Sequence, residues 1–320
     1  MESTETASSA PIGHSIRVQE VPMGFLCIDK PAGMTSAHVV NRVKRALGLG
    51  RKAKVGHLGT LDPDATGVLV CAVGRATRLI PLVAGGKKTY LGELQLGVTT
   101  QTDDLSGEVL SRFDGSFPSN EIVLAATKSF IGNILQKPPT VSAVKIRGER
   151  AHVRARRGEQ VEISSREVMV YDFELNFLSP DRYGYRVECG PGTYVRSLAR
   201  DLGESLGTGG AIASIRRVES APFDINMSTS LEKITAQNLI SWYEVFGDIP
   251  RLGVSSDCFL KLRHGDSSKV IRELSGQRLE EGDYALLCVE KSSKPVGLLR
   301  FIRDSWKVVF VDIEVSRECV

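Results

Sequence analysis

Asp62 is the side chain best mounted for chemistry in this sequence. It sits in Gly-His-Leu-Gly-Thr-Leu-Asp-Pro-Asp-Ala-Thr-Gly-Val-Leu, residues 56–69. Glycines at 56, 59 and 67 let the backbone turn tightly and come close to a partner. Pro63 pushes Asp62 out of the α region, into an extended or turn conformation. The apolar run Val68-Leu-Val-Cys-Ala-Val73 follows at once and reads as a buried strand. A carboxylate on a stiff loop feeding a core strand, with His57 nearby, is a mounting suited to catalysis. Asp-Pro is equally an ordinary turn in which the aspartate bonds its own backbone. This stretch alone leaves both readings open.

Composition narrows the classes. The 320 residues suffice for one large domain, or a large one plus a small one. A net charge of +3 does not by itself call for nucleic acid. Its distribution says more: Arg42 to Lys54 holds six basic residues and no acidic one, and Lys145 to Arg157 holds six against Glu149 alone. Two such patches fit a polyanion footprint, and either one alone fits a solvated basic face equally well. Six scattered cysteines with no C-x-x-C pair read as buried free thiols in a reducing compartment. The five histidines make no metal-ligand spacing, and there is no phosphate-binding glycine loop. Residues 1–20 lack an apolar segment and read as a disordered tail rather than a signal peptide. Arg75 and Arg78 interrupt the longest apolar stretch before it reaches membrane-spanning length.

The elements that must position Asp62 follow from periodicity. Strands are expected at Gly24–Asp29, Lys88–Leu96, Val161–Leu178, Tyr183–Cys189 and Ala211–Val218. Helices are expected from Thr35 or Ser36 to about Leu47, from Ser119 to Phe130 and from Thr193 to Leu206, with an amphipathic segment at Ala76–Val83. Thr99–Glu108 reads as an acidic loop. Hairpin-like strands mixed with single helices predict an α+β fold rather than a doubly wound parallel sheet. A boundary near 245–256 separates a main domain, 21–248, from a module at 249–320. Within it, Tyr284–Val289, Pro295–Ile302 and Trp306–Ile313 predict a small β-rich, barrel-like unit that leans on the main domain.

Six pieces in order carry a resemblance. They are Asp29-Lys-Pro-Ala-Gly-Met-Thr-Ser36, residues 56–69, Lys88-Thr-Tyr90, Gln136-Lys-Pro-Pro with Ser142-Ala-Val-Lys145, Gly192-Thr-Tyr-Val-Arg196, and Leu202-Gly-Glu-Ser-Leu-Gly207 leading to Arg216-Arg217. Together, across about residues 23 to 225, they resemble the TruB family of tRNA pseudouridine synthases. The resemblance implies the pseudouridine synthase fold: a mixed, largely antiparallel sheet flanked by helices, with a small C-terminal PUA-like module. It implies an isomerase that breaks the glycosidic bond of a uridine within RNA, turns the base and joins C5 to the ribose. Neither metal nor cofactor is then expected.

By the same resemblance Asp62 is the catalytic aspartate, attacking C1′ or removing a ribose proton. Arg196 is its partner; a guanidinium fixes the direction of a partly buried carboxylate. Tyr90 stacks on the target base and is placed to take the C5 proton. His57 fills the space the flipped base leaves, Asp104 contacts the extruded uridine, and Tyr194 and Ile215 wall the base pocket. Lys30 and Lys145 are carried over as substrate contacts. On residue chemistry alone, Arg196 would pass as a surface ion pair, Tyr90 and Ile215 as core, and Asp104 as a solvated loop residue. The substrate implied is the uridine at position 55 in the T arm of tRNA, met by a cytoplasmic monomer that requires no protein partner. Alternatives are a guide-RNA-dependent (H/ACA-type) relative, a tRNA-folding chaperone with incidental catalysis, and a carboxylate glycosidase needing a second acid. The sequence departs from the family pattern at Leu58, Asp64, Val141, His152 and Pro191.

Overall fold

The computed structural model describes residues 21–140, 145–146, 149–150, 164–290, 292 and 294–312. The N-terminal tail and most of the Lys145–Arg157 patch lie outside these residues. The first strands are β1 (Gly24–Lys30), β2 (Val55–His57), β3 (Thr66–Val73), β4 (Lys88–Leu96), β5 (Val98–Thr100), β6 (Val109–Arg112) and β7 (Gly132–Gln136). After them come β8 (Lys145–Ile146), β9 (Glu149–Arg150), β10 (Arg166–Ser179), β11 (Arg182–Cys189), β12 (Gly210–Ser220) and β13 (Phe223–Asp224). Four more, β14 (Arg251–Val254), β15 (Tyr284–Val289), β16 (Pro295–Ile302) and β17 (Ser305–Val311), form the C-terminal sheet. The helices are α1 (Ser36–Ala46), α2 (Ile80–Val83), α3 (Asn120–Ala126), α4 (Val195–Ser205), α5 (Ser256–Arg263) and α6 (Ser268–Glu273).

The main sheet runs β1-β3-β12-β4-β11-β10-β7, with β2 added beside β3 and β13 beside β12. Only β3 and β12 run parallel, so the fold is α+β with a largely antiparallel sheet. β3 is apolar from Val68 to Val73 because both of its faces are covered. Leu69, Cys71 and Val73 enter one core, while Val68, Val70 and Ala72 enter the other, as the two-residue strand period requires. Where β12 crosses β3, Gly67 has φ +97°, and a Cβ there would stand 2.1 Å from the Arg217 carbonyl oxygen. Only glycine allows that approach.

α1 starts on Thr35, whose hydroxyl accepts from the His38 amide, and buries Ser36, Val39 and Val43. The expected helix after Ser119 ends at Ala126 and tightens into a 3₁₀ turn, Thr127–Phe130. The stretch read as an acidic loop, Thr99–Glu108, holds the end of β5 and the connection to β6 in a short hairpin.

The C-terminal module differs from the barrel-like expectation. It is a four-stranded sheet, β14-β15-β16-β17, with α5 and α6 against it and a core of its own that includes Phe259, Leu274 and Trp306. The other face, through Leu286, Leu298 and Phe310, packs on Trp242 and Val83 of the main domain. Two polar ties reinforce this contact: the Trp242 indole donates to Asp312 at 3.0 Å, and Arg75 donates to the Val311 carbonyl at 2.8 Å. Among the described residues, no helix is long and apolar enough to cross a membrane.

Candidate active site

The loop between β2 and β3 has little regular structure of its own and is held by side chains from distant elements. The Ser36 hydroxyl donates to the Leu61 carbonyl at 3.0 Å and accepts from the Leu61 amide at 2.9 Å. The Lys30 ammonium donates to the carbonyls of Pro31, Met34 and Pro63 at 2.7–2.8 Å. Arg217 donates to the Gly59 carbonyl at 3.1 Å and the Val68 carbonyl at 2.8 Å. Leu58, Leu61 and Ala65 are buried beneath. What remains outward is the Asp62 carboxylate, 44% exposed.

Lys30 therefore departs from the role the sequence assigned to it. Its side chain is fully buried and each of its three ammonium hydrogens has a carbonyl, so it braces the loop rather than meeting a substrate. Burial lowers its pKa to about 8, opposed by the nearby carboxylates of Asp64 and Asp62.

Arg196 reaches the loop from the first turn of α4. Its Nε lies 3.0 Å from Asp62 Oδ2, while Nη1 donates to the Thr102 carbonyl at 2.7 Å and lies 3.5 Å from Asp104 Oδ2. The guanidinium is 5% exposed, so the pair has a dry side and a wet side. Asp104 is in turn fixed through Oδ1, which accepts from the Thr102 hydroxyl at 2.7 Å, the Ser106 hydroxyl at 2.6 Å and the Ser106 amide at 3.1 Å. The start of α4 is set by the buried Gln136 amide, which accepts from the Tyr194 N–H at 2.8 Å and donates to its carbonyl at 3.1 Å.

A cavity of about 320 Å³ opens beside this pair, lined among others by Asp62, Tyr90, Tyr194, Arg196, Ile215 and Arg217. That volume suits a nucleoside-sized ligand. A smaller one of about 230 Å³ shares Asp62, Arg196 and Ile215 and adds Asp64, Asp104 and Ser106. Asp104 is thus joined to Arg196 but faces this second cavity. Burial pushes the Tyr90 phenol up, and Arg217 opposes the shift. Tyr194 carries the Arg166 guanidinium over its ring at 5.0 Å, and Arg166 also donates to the Gly192 carbonyl.

His57 is half-buried on β2 and lies outside both linings; its Nδ1 accepts from the Gly59 amide at 3.4 Å. Burial first, and Arg217 second, lower its pKa from the ordinary 6.5, which keeps the ring neutral. Lys145 falls in β8, but its side chain, like Val141 and His152, lies outside the described residues.

Sequence reasoning placed Arg217, Lys88 and Gln136 inside recognised pieces but gave them no task, read Ser36 only as a candidate cap for the first helix, and passed over Arg166. Lys88 is buried with its ammonium on the carbonyls of Ala84 and Gly86, and burial followed by the Arg217 charge lowers its pKa. The spacing of basic residues and β-strand residues holds no sign of these bonds: those of Arg217, Ser36, Gln136 and Arg166 join segments far apart in the chain, and those of Lys88 are local but leave no pattern in residue type. Among the described residues, no cluster of histidine, cysteine and carboxylate side chains could hold a metal ion. The arrangement offers one directed carboxylate, a phenol and an apolar wall around a single cavity. It can work on a polar ring held against Ile215 while the carboxylate acts at an adjoining carbon.

The chain is similar to known proteins over most of its length. Residues 44–195 match the N-terminal domain of the TruB family pseudouridylate synthases, and residues 196–244 match the tRNA pseudouridylate synthase B C-terminal domain. A tRNA pseudouridine synthase B of Synechococcus sp. (strain WH7803) is 52% identical over 204 residues, 63% of this chain and 67% of that protein. The protein of the same name from Ruegeria pomeroyi is 41% identical over 286 residues, 87% of this chain and 92% of that protein. Among solved structures, a chain of a Cbf5–Nop10–Gar1 complex aligns with TM-score 0.63 at 24% identity, covering 92% of this chain and 81% of its own. A chain of an H/ACA ribonucleoprotein bound to a substrate RNA containing 2′-deoxyuridine aligns equally well at 22% identity, covering 90% and 83%. At such identities the likeness to the solved structures is one of fold.

Proposed function

The chain belongs to the TruB family of pseudouridylate synthases, and we propose that it isomerises a uridine of tRNA to pseudouridine, at position 55 in the T arm. The observation that carries this reading is the Asp62–Arg196 pair at 3.0 Å, opening on a cavity that also holds Tyr90. Arg196 binds one carboxylate oxygen and directs the other toward the cavity. A uracil ring fits between Tyr90 and Ile215, with its ribose toward Asp62. The carboxylate then attacks C1′ or removes a ribose proton, and the C1′–N1 bond breaks. The freed base turns within the pocket and bonds to C1′ through C5. Loss of the C5 proton and gain of one at N1 complete an isomerisation that consumes no redox equivalent.

The target must leave its stack first. Extrusion costs a few kcal/mol, offset by stacking on Tyr90 and contacts within the pocket. His57, neutral and close to the Asp62 loop, fills the space left in the RNA. Arg42, Arg45, Arg51, Lys52 and Lys54 are exposed along one stretch and meet phosphates without reading sequence. The enzyme acts as a monomer in the cytoplasm, without guide RNA or metal.

Bare tRNA transcript, incubated with the purified protein in chelator and mapped with carbodiimide, tests this reading. A single new stop at the T-loop uridine is expected. No stop, or a stop that appears only when a guide RNA is added, would refute it.

A further inference from the structure

Arg217 is the most deeply buried cation of the cavity wall, 2% exposed, on the strand next to Tyr90. Nε and Nη2 are spent on the carbonyls of Val68 and Gly59. Nη1 lies at the cavity edge, 3.6 Å from where a Cβ on Gly59 would stand. β12 and β4 pair antiparallel with Arg217 directly opposite Tyr90, which puts the two side chains on one face with Cβ atoms about 5 Å apart. The register then shifts between Arg217 and Glu219, an irregularity of the kind that re-aims a side chain. Two fixed nitrogens, a shared face and a shared cavity leave the guanidinium little choice of direction.

Resting on the function proposed above, we infer that Arg217 is a positioning residue for Tyr90: it orients the phenol oxygen toward C5 of the base and balances the negative charge that builds there during proton transfer. In this step the C5–H bond breaks, its electron pair closes the C5–C6 double bond, and the C6–N1 π pair withdraws onto N1. The proton goes to the Tyr90 oxygen as the phenol's own proton leaves through water, and N1 takes a proton from water. Nothing is oxidised or reduced. A buried phenol performs this exchange poorly without a fixed cation. The charged or titratable neighbours facing Tyr90 are Arg217 from β12, Cys189 and Tyr185 from β11 and Asp62 from the loop. Of these, Arg217 alone opposes the upward push of burial on the phenol.

Single-turnover rates on tRNA labelled with tritium at C5, for Arg217→Gln and Tyr90→Phe alone and combined, test the inference. Arg217→Gln is expected to slow the unaltered enzyme about 100-fold, the lower end of what general acid–base groups contribute, and to slow Tyr90→Phe less than about tenfold, the share owed to its hold on Gly59 and Val68. The rising limb of its pH–rate profile should also move to higher pH, because the phenol loses the cation that favours its charged form. Equal slowing in both backgrounds, with an unmoved profile, would mean that Arg217 only holds Gly59 and Val68, and would overturn the inference. If Arg217→Gln does not fold, Arg217→Lys is read in the same two backgrounds, with about tenfold slowing expected in the first and less than about twofold in the second. Failure of the unaltered protein to form pseudouridine would overturn the function itself, and the inference with it.

Discussion

The Asp62 loop and the C-terminal module are held in opposite ways. The loop is fixed by polar side chains reaching its backbone: Ser36, Lys30 and Arg217 come from three elements, and their partners at Leu61, Pro63 and Gly59 lie 25 to 158 residues away in the chain. The module is fixed by apolar packing between neighbouring strands, with Phe259, Leu287, Leu299 and Trp306 in one cluster. Polar struts set direction, because each bond has a preferred line; apolar packing sets compactness. The loop proposed to aim a carboxylate uses the first device, and the module uses the second. Damage to a strut should therefore disturb turnover before it disturbs folding, and damage to the module should do the reverse.

Lys30→Met sharpens that contrast most. It leaves the carbonyls of Pro31, Met34 and Pro63 without the buried donor they share, and a loss of about 2–4 kcal/mol in unfolding free energy is expected by denaturant titration. Turnover should fall steeply even in the fraction that remains folded. Arg196→Lys comes next: an ammonium cannot hold Asp62, Thr102 and Asp104 together, and about a 100-fold lower kcat is expected in single-turnover assays, with unchanged tRNA affinity. Ser36→Ala removes a donor and an acceptor from Leu61 and should cost about 2 kcal/mol of stability. It should also slow catalysis more than about tenfold at temperatures where the protein is fully folded. Trp242→Phe probes the other region. Without its indole donor to Asp312 the module dock should weaken by about 1–2 kcal/mol, lowering the Tm while the rate on tRNA stays within about twofold. If Trp242→Phe slowed the reaction as much as Ser36→Ala, the division between aiming and folding would be wrong.

The smallest effect belongs to His57. Its folded-state pKa lies below the ordinary 6.5, so the native state favours the neutral ring. The stability it contributes is present above pH 6.5 and is lost as pH falls through the folded value. His57→Gln should therefore soften the decline in Tm between about pH 7 and about pH 5. An unchanged decline would show that His57 titrates alike in the folded and unfolded chains.

The same contrast explains what was legible in the sequence. β1, β3, β4 and β11 could be read because apolar runs and alternation are local signals. Asp62 could be read as a turn aspartate from Pro63 and the glycines, and its pairing with Arg196 came from matching pieces of a family, not from spacing. The roles of Ser36, Lys30 and Arg217 were not legible, since a serine at a helix start, a lysine before a proline and an arginine in a strand have ordinary local explanations. Ser36 was read as a candidate cap, yet Thr35 caps the helix and Ser36 turns to Leu61. In the module β15, β16 and β17 announced themselves; β14, inside the stretch read as a boundary, did not, and neither did α5 and α6. Their short charged turns are carried by packing against the sheet through Phe259, Leu262 and Val270 rather than by a long amphipathic pattern.

The central claim is that Asp62 is the reacting carboxylate and that the struts exist to aim it. Asp62→Asn keeps the size and shape of the side chain while removing its charge. Carbodiimide mapping of tRNA treated with this variant, alongside a filter-binding measurement on the same preparation, is the most direct test. Loss of the T-loop product by at least about 10³-fold with tRNA affinity within about threefold of the unaltered protein is the expected result. Product formed at an undiminished rate would contradict the account.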